Sequence, residues 1–73
     1  MAIRVITNPS KAQITRNAKE GAVLVLTEDG SSVEEAANKS GKDWYLTGDS
    51  EEYTVSEILE DYGVLALFYN DGK

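Results

Sequence analysis

Carboxylates are the groups best supplied for chemistry in this sequence, 13 of them in 73 residues. Pairs such as Glu51/Glu52 and Glu57/Glu60 offer the acid-and-base combination that cleaves glycosidic bonds when two carboxyls face one another across a substrate. Neither pair stands in a motif that would set such a separation, and carboxylates in so small a domain are ordinarily solvated. There is no histidine and no cysteine. The commonest general base, the partner that activates a serine nucleophile and the usual ligands of zinc are therefore all missing. No serine lies in a G-x-S-x-G elbow.

Weaker motif matches dissolve on inspection. Ser40-Gly41-Lys42-Asp43 resembles the end of a phosphate loop, but the first glycine of that loop would be residue 36, which is alanine, and Asp43 stands where Ser or Thr is needed. Asp29-Gly30, Gly48-Asp49 and Asp71-Gly72 lack the ligand spacing of a calcium loop and read as turns. Asn38-Lys39-Ser40 matches a glycosylation acceptor, which has no consequence outside a secretory pathway. The expectation is a protein without enzymatic activity, cofactor or metal.

The charge pattern is more informative. The chain carries a net charge of −6. Residues 1–20 hold Arg4, Lys11, Arg16 and Lys19 against Glu20 alone, a net +3, whereas residues 21–73 hold three lysines against the other twelve carboxylates, a net −9. In the second part Asp49, Glu51, Glu52, Glu57, Glu60 and Asp61 follow one another without a compensating Lys or Arg. On a helix, Glu57 and Asp61 form a like-charge i,i+4 pair that costs about 0.2–0.5 kcal/mol. Glu60 and Asp61 also oppose the dipole of the last turn, at about 0.3–1 kcal/mol each. Local stability does not favour these residues, which points to an acidic face for a basic partner surface, with Trp44 and Tyr53 beside it as aromatic anchors. The competing explanation is a solubilising face whose aromatics lie in the core.

Around these residues the sequence predicts a single domain over residues 1–73. Ala2–Thr7 is rich in β-branched residues and ends at Asn8-Pro9, the pattern of a strand. A helix follows from Pro9 to Glu20, capped by Asn8 with Ser10 and Gln13 as a secondary box; a hairpin through 17–21 is the alternative. Ala22–Thr27 is a continuous apolar run, the signature of a central strand covered on both faces. Ser31 or Ser32 with Glu34 or Glu35 makes a capping box for a short helix ending at Gly41, and Asp43–Thr47 reads as a third strand. Tyr53–Gly63 is the clearest element. Thr54 and Glu57 form a capping box, Tyr53 and Ile58 a hydrophobic staple, and Val55, Ile58, Leu59 and Tyr62 one apolar face, with Gly63 as a left-handed stop. Val64–Tyr69 is a second wholly apolar strand, and residues 70–73 form a polar tail. The expected fold is α+β or small α/β, with a roughly four-stranded mixed sheet and two or three short helices in the order β-α-β-(α)-β-α-β.

No apolar run is long enough to span a bilayer, and Met1–Thr7 lacks the apolar core of a signal peptide, which leads to the expectation of a cytoplasmic protein. Phage-encoded inhibitors of host enzymes are often small, acidic and free of Cys and His, and this compositional likeness suggests a nucleic-acid mimic that occupies a basic groove of a partner protein. Two other readings are a structural or assembly subunit that self-associates, as a homodimer for example, through apolar edges of the Trp44 or Tyr69 strands, and nucleic-acid binding through Arg4, Lys11, Arg16 and Lys19.

Overall fold

The two apolar runs form the middle of the sheet. In the computed structural model, which describes residues 2–48 and 51–71, the elements are β1 (Ile3–Thr7), α1 (Lys11–Arg16), β2 (Val23–Thr27), β3 (Glu35–Ser40), β4 (Asp43–Leu46), β5 (Glu52–Tyr53), α2 (Val55–Asp61) and β6 (Gly63–Asn70). The strands make one six-stranded sheet in the order β1-β6-β2-β3-β4-β5, with every neighbouring pair antiparallel. β1 and β2 consequently run in the same direction, with β6 inserted between them. The expected four-stranded mixed sheet with two or three helices is thus replaced by six antiparallel strands and two short helices.

Most of the difference lies in residues 31–41. No helix starts at Ser31 or Ser32, because the Asp29 carboxylate accepts the N–H groups of both serines at 2.8 Å and holds the chain in a turn. The segment then enters β3, where Val25 faces Ala36 and Leu24 faces Ala37. A strand that pairs along both of its edges satisfies its backbone with little apolar side-chain area, whereas a helix with only Val33, Ala36 and Ala37 to bury does not. Gly41, at φ +62°, serves the turn into β4 rather than a helix end.

α2 is capped by Thr54 as expected, whereas α1 is capped by Ser10, the residue of the secondary box, and not by Asn8. α1 begins after Ser10, whose hydroxyl accepts from the Gln13 N–H at 3.1 Å while the Gln13 side chain accepts from the Ser10 N–H at 2.8 Å. Asn8, at φ +49°, belongs to the approach and does not cap it. The helix stops at Arg16 because Asn17 Nδ2 bonds back to the Gln13 carbonyl at 2.9 Å, and residues 18–21 form a turn in place of the expected continuation to Glu20. In α2 the Thr54–Glu57 capping box is complete. Gly63 is not its left-handed stop. Tyr62 is already extended (φ −134°, ψ 152°), and Gly63 opens β6, where a Cβ would lie 3.3 Å from Thr27 Cγ2.

Ile14 of α1 and Ile58 of α2 join Ala22, Leu24, Leu26, Ala37, Trp44 and Leu67 in the buried core. Ile6, Leu46, Tyr53, Val55, Tyr62, Val64 and Tyr69 pack around them. The two helices are tied by the Lys11 ammonium, which donates to Ser56 Oγ at 2.8 Å. Every sheet residue of this core lies on the same face, and both helices cover that face.

Candidate binding surface

Antiparallel pairing places directly opposed residues on the same side of the sheet, so register alone maps the second face. One row runs Val5, Phe68, Val23, Asn38, Tyr45 and Glu52 from β1 to β5. The adjacent row runs Thr7, Ala66, Val25 and Ala36. No described helix lies over these rows. Val5 is 51% exposed, Ile3 67% and Phe68 39%, and Val23 and Val25 are half-buried. β2 and β6 are therefore covered on one face only, contrary to the expectation of burial on both. The helices account for the shortfall: six and seven residues long, with one fully buried isoleucine each, they can cover one side.

Beside Phe68 the surface sinks into an open hollow of about 250 Å³, lined by Ile3, Val23, Phe68 and Tyr69, with Glu20 and Asn70 supplying polar groups. The Glu20 carboxylate is engaged with the Gly41 N–H at 2.9 Å. Among the described residues no group of three or more Asp or Glu side chains could hold a metal ion, and no helix is long and apolar enough to cross a membrane.

Among the described strand residues the open face is uncharged over β1, β6, β2 and β3; its carboxylates are Asp43 and Glu52, both beside Tyr45, whereas Glu35 pairs with Leu26 on the covered side. Burial, then the Glu52 and Asp43 carboxylates, push the Tyr45 phenol above its ordinary value, so it stays protonated and donates to Glu52. No Lys or Arg occupies a described strand position on this face.

The residues of the expected acidic site are dispersed. Asp49 lies outside the described residues. Glu51 is exposed just before β5, and Glu52 sits on the open face of the sheet. Glu57 accepts from the Thr54 N–H at 2.8 Å and completes the cap of α2, which gives it a local structural role. Glu60 and Asp61 are exposed at the end of α2, in the helix layer on the other side of the sheet, and no basic residue stands in that last turn. Trp44 is 1% exposed in the core, with the Lys39 ammonium 5.9 Å from its ring centroid, and Tyr53 packs against the same core. Core packing is thus where both aromatics are employed.

The expected self-association edges also move. β4, which carries Trp44, lies between β3 and β5, and β6, which carries Tyr69, lies between β1 and β2; the sheet edges are β1 and the two-residue β5. Of the N-terminal cations, Arg4 pairs with Asp71 at 3.2 Å and Lys11 with Ser56. Arg16 and Lys19 stand exposed at the end of α1 and in the turn that follows.

Ile3, Val5, Val23, Val25 and Phe68 did not figure among the candidate site residues. The signal that points to them is the excess of apolar residues in AVLVLT and VLALFY over what two short helices can cover. Comparison of the chain with protein-family models, with curated proteins and with solved structures finds no match.

Proposed function

We propose that this chain is a non-enzymatic binding protein whose working surface is the open face of its sheet. The observation that carries this reading is the apolar strip formed by Ile3, Val5, Val23, Val25 and Phe68 across three adjacent strands, over which no described helix lies. Contiguous exposed apolar patches on small proteins mark interaction sites. The absence of His and Cys from the sequence leaves no conventional nucleophile–base pair beside the hollow, which favours binding over catalysis.

A second reading keeps the acidic docking surface, now centred on Glu60 and Asp61 with Glu51, and with Glu57 contributing charge from its cap. It is favoured by the uncompensated last turn of α2. In this reading the protein inhibits a partner by occupying a basic, phosphate-binding groove.

The two readings separate in a capture experiment with tagged protein in host lysate, comparing the double variant Val5→Thr/Phe68→Thr with the triple variant Glu57→Gln/Glu60→Gln/Asp61→Asn. Loss of the captured species by the first variant alone supports the open face. Loss by the second alone, with recovery that falls as salt rises, transfers the function to the acidic helix.

A further inference from the structure

We infer that the occupant of the open sheet face is a second copy of this chain, packed face to face about a two-fold axis; this rests on the reading of that face as the working surface. Charge is the first argument. The strip over β1, β6 and β2 is uncharged, so a basic partner gains nothing from it, whereas an identical strip matches it in polarity. A chain of net charge −6 self-associates only if its carboxylates stay apart. An axis running parallel to the strands between β6 and β2 achieves this for the strand carboxylates, and Glu20, at the hollow, is the one carboxylate left near the contact, held there by the Gly41 N–H. The axis sets the β4 strands, with Asp43, five strand spacings apart, about 24 Å. That is about three Debye lengths at physiological ionic strength. The β5 strands, with Glu52, lie further apart still.

Register supplies the second argument. Because Val5, Phe68, Val23 and Asn38 form one row, and Thr7, Ala66, Val25 and Ala36 the next, this axis lays Phe68 over Val23 of the second copy and Ala66 over Val25. Large side chains meet smaller ones in both rows, as in the aligned packing of two sheets. Val5 falls over Asn38 at the margin. The hollow beside Phe68, at about 250 Å³, is larger than the roughly 150 Å³ cavity that takes a benzene ring, so it can receive the phenyl group of the opposing Phe68. Knob and hollow adjacent on one surface are what an isologous contact requires. Four strands present roughly 19 by 17 Å of sheet, which places the contact among small, reversible interfaces.

Sedimentation velocity of the intact chain tests this. The expected result is a mass that rises from 8.0 kDa towards twice that value over a range of about 1 to 500 µM. It should change less than twofold in dissociation constant between about 0.05 and 0.5 M salt. Val5→Thr/Phe68→Thr should abolish the rise, and Val25→Thr alone should weaken it at least several-fold, while far-UV circular dichroism and the melting profile show that both variants fold. A wild-type chain that remains at 8.0 kDa throughout overturns the second copy as occupant. The open-face reading then stands or falls separately on the capture experiment. A dimer that survives the double variant, or one that dissociates as salt is lowered because its carboxylates repel, overturns the proposed packing.

Discussion

The two faces of the same six strands are built from similar residues and treated differently. On the covered face Leu24, Leu26, Ala37, Trp44 and Leu67 are buried to 1% exposure or less, beneath Ile14 and Ile58. On the other face the alternate residues of the same strands, Val23, Val25, Ala66 and Phe68, remain half-buried or exposed. Apolar side chains cost nothing to the fold on the second face, and without a partner they contribute little beyond cross-strand contacts. The contrast teaches that the covered face accounts for folding, and it is the ground on which the open face is proposed as the working surface.

The strongest way to break this comparison is to truncate matched residues on the two faces. Trp44→Ala should cost about 3–5 kcal/mol and Leu24→Ala about 2–5 kcal/mol in urea unfolding of dilute protein, as for large-to-small changes in a closed core. Val25→Ala, on the same strand but the opposite face, should cost under about 1 kcal/mol, within the range of sheet-surface substitutions. Equal costs would mean that the open face is part of the fold's own core.

The next effect, about 1 kcal/mol, belongs to the cap of α2: Thr54→Ala removes the acceptor of the Glu57 N–H and should lower stability by that amount. Glu57→Gln keeps an acceptor for the Thr54 N–H and relieves the like-charge contact with Asp61, so it should leave the urea midpoint nearly unchanged. A large loss on Glu57→Gln would show that the charge itself matters to the fold.

A smaller, pH-dependent effect comes from the loop between β2 and β3. The N–H groups of Ser32 and Ser31, and then the Thr27 hydroxyl, hold the Asp29 carboxyl well below the usual carboxylate range. Its contribution is therefore fully present above the unfolded-state value near about 4 and is lost as pH falls towards the lower folded-state value. Urea midpoints at pH 7 and pH 3 should show a larger acid loss for the wild type than for Asp29→Asn, which keeps an acceptor but cannot titrate. Equal losses would place the acid sensitivity elsewhere.

Several elements were legible because the information is local. The T-x-x-E box marked the start of α2, the S-x-x-Q box lay at the true start of α1 although Asn8-Pro9 reads as its cap, and AVLVLT, DWYL and VLALFY marked β2, β4 and β6. What escaped is decided by contacts distant in sequence. EAANKS has weak propensity of its own and becomes β3 only because β2 and β4 offer their edges on either side. β5 is two residues long and exists only as a pair with Trp44 and Tyr45. The insertion of β6 between β1 and β2 joins the last strand to the first, which no local pattern encodes. For the site, the run of carboxylates in residues 49–61 was plain, but a linear run does not reveal that the sheet separates Glu52 from Glu60 and Asp61. Likewise Trp44 looks like an anchor in sequence and is a core residue in space, because its register with Ala37's strand turns it towards the helices.

The most direct test of the central claim, that the open sheet face and not the acidic helix is the working surface, is a two-dimensional NMR titration that follows methyl groups and amides together. It would be run against the captured partner or, if self-association is found, against protein concentration. The account predicts shifts and broadening at the methyls of Ile3, Val5, Val23 and Val25 and at the ring of Phe68, with the amides of Glu57, Glu60 and Asp61 unmoved. Perturbations confined to α2, with those methyls unchanged, would contradict it.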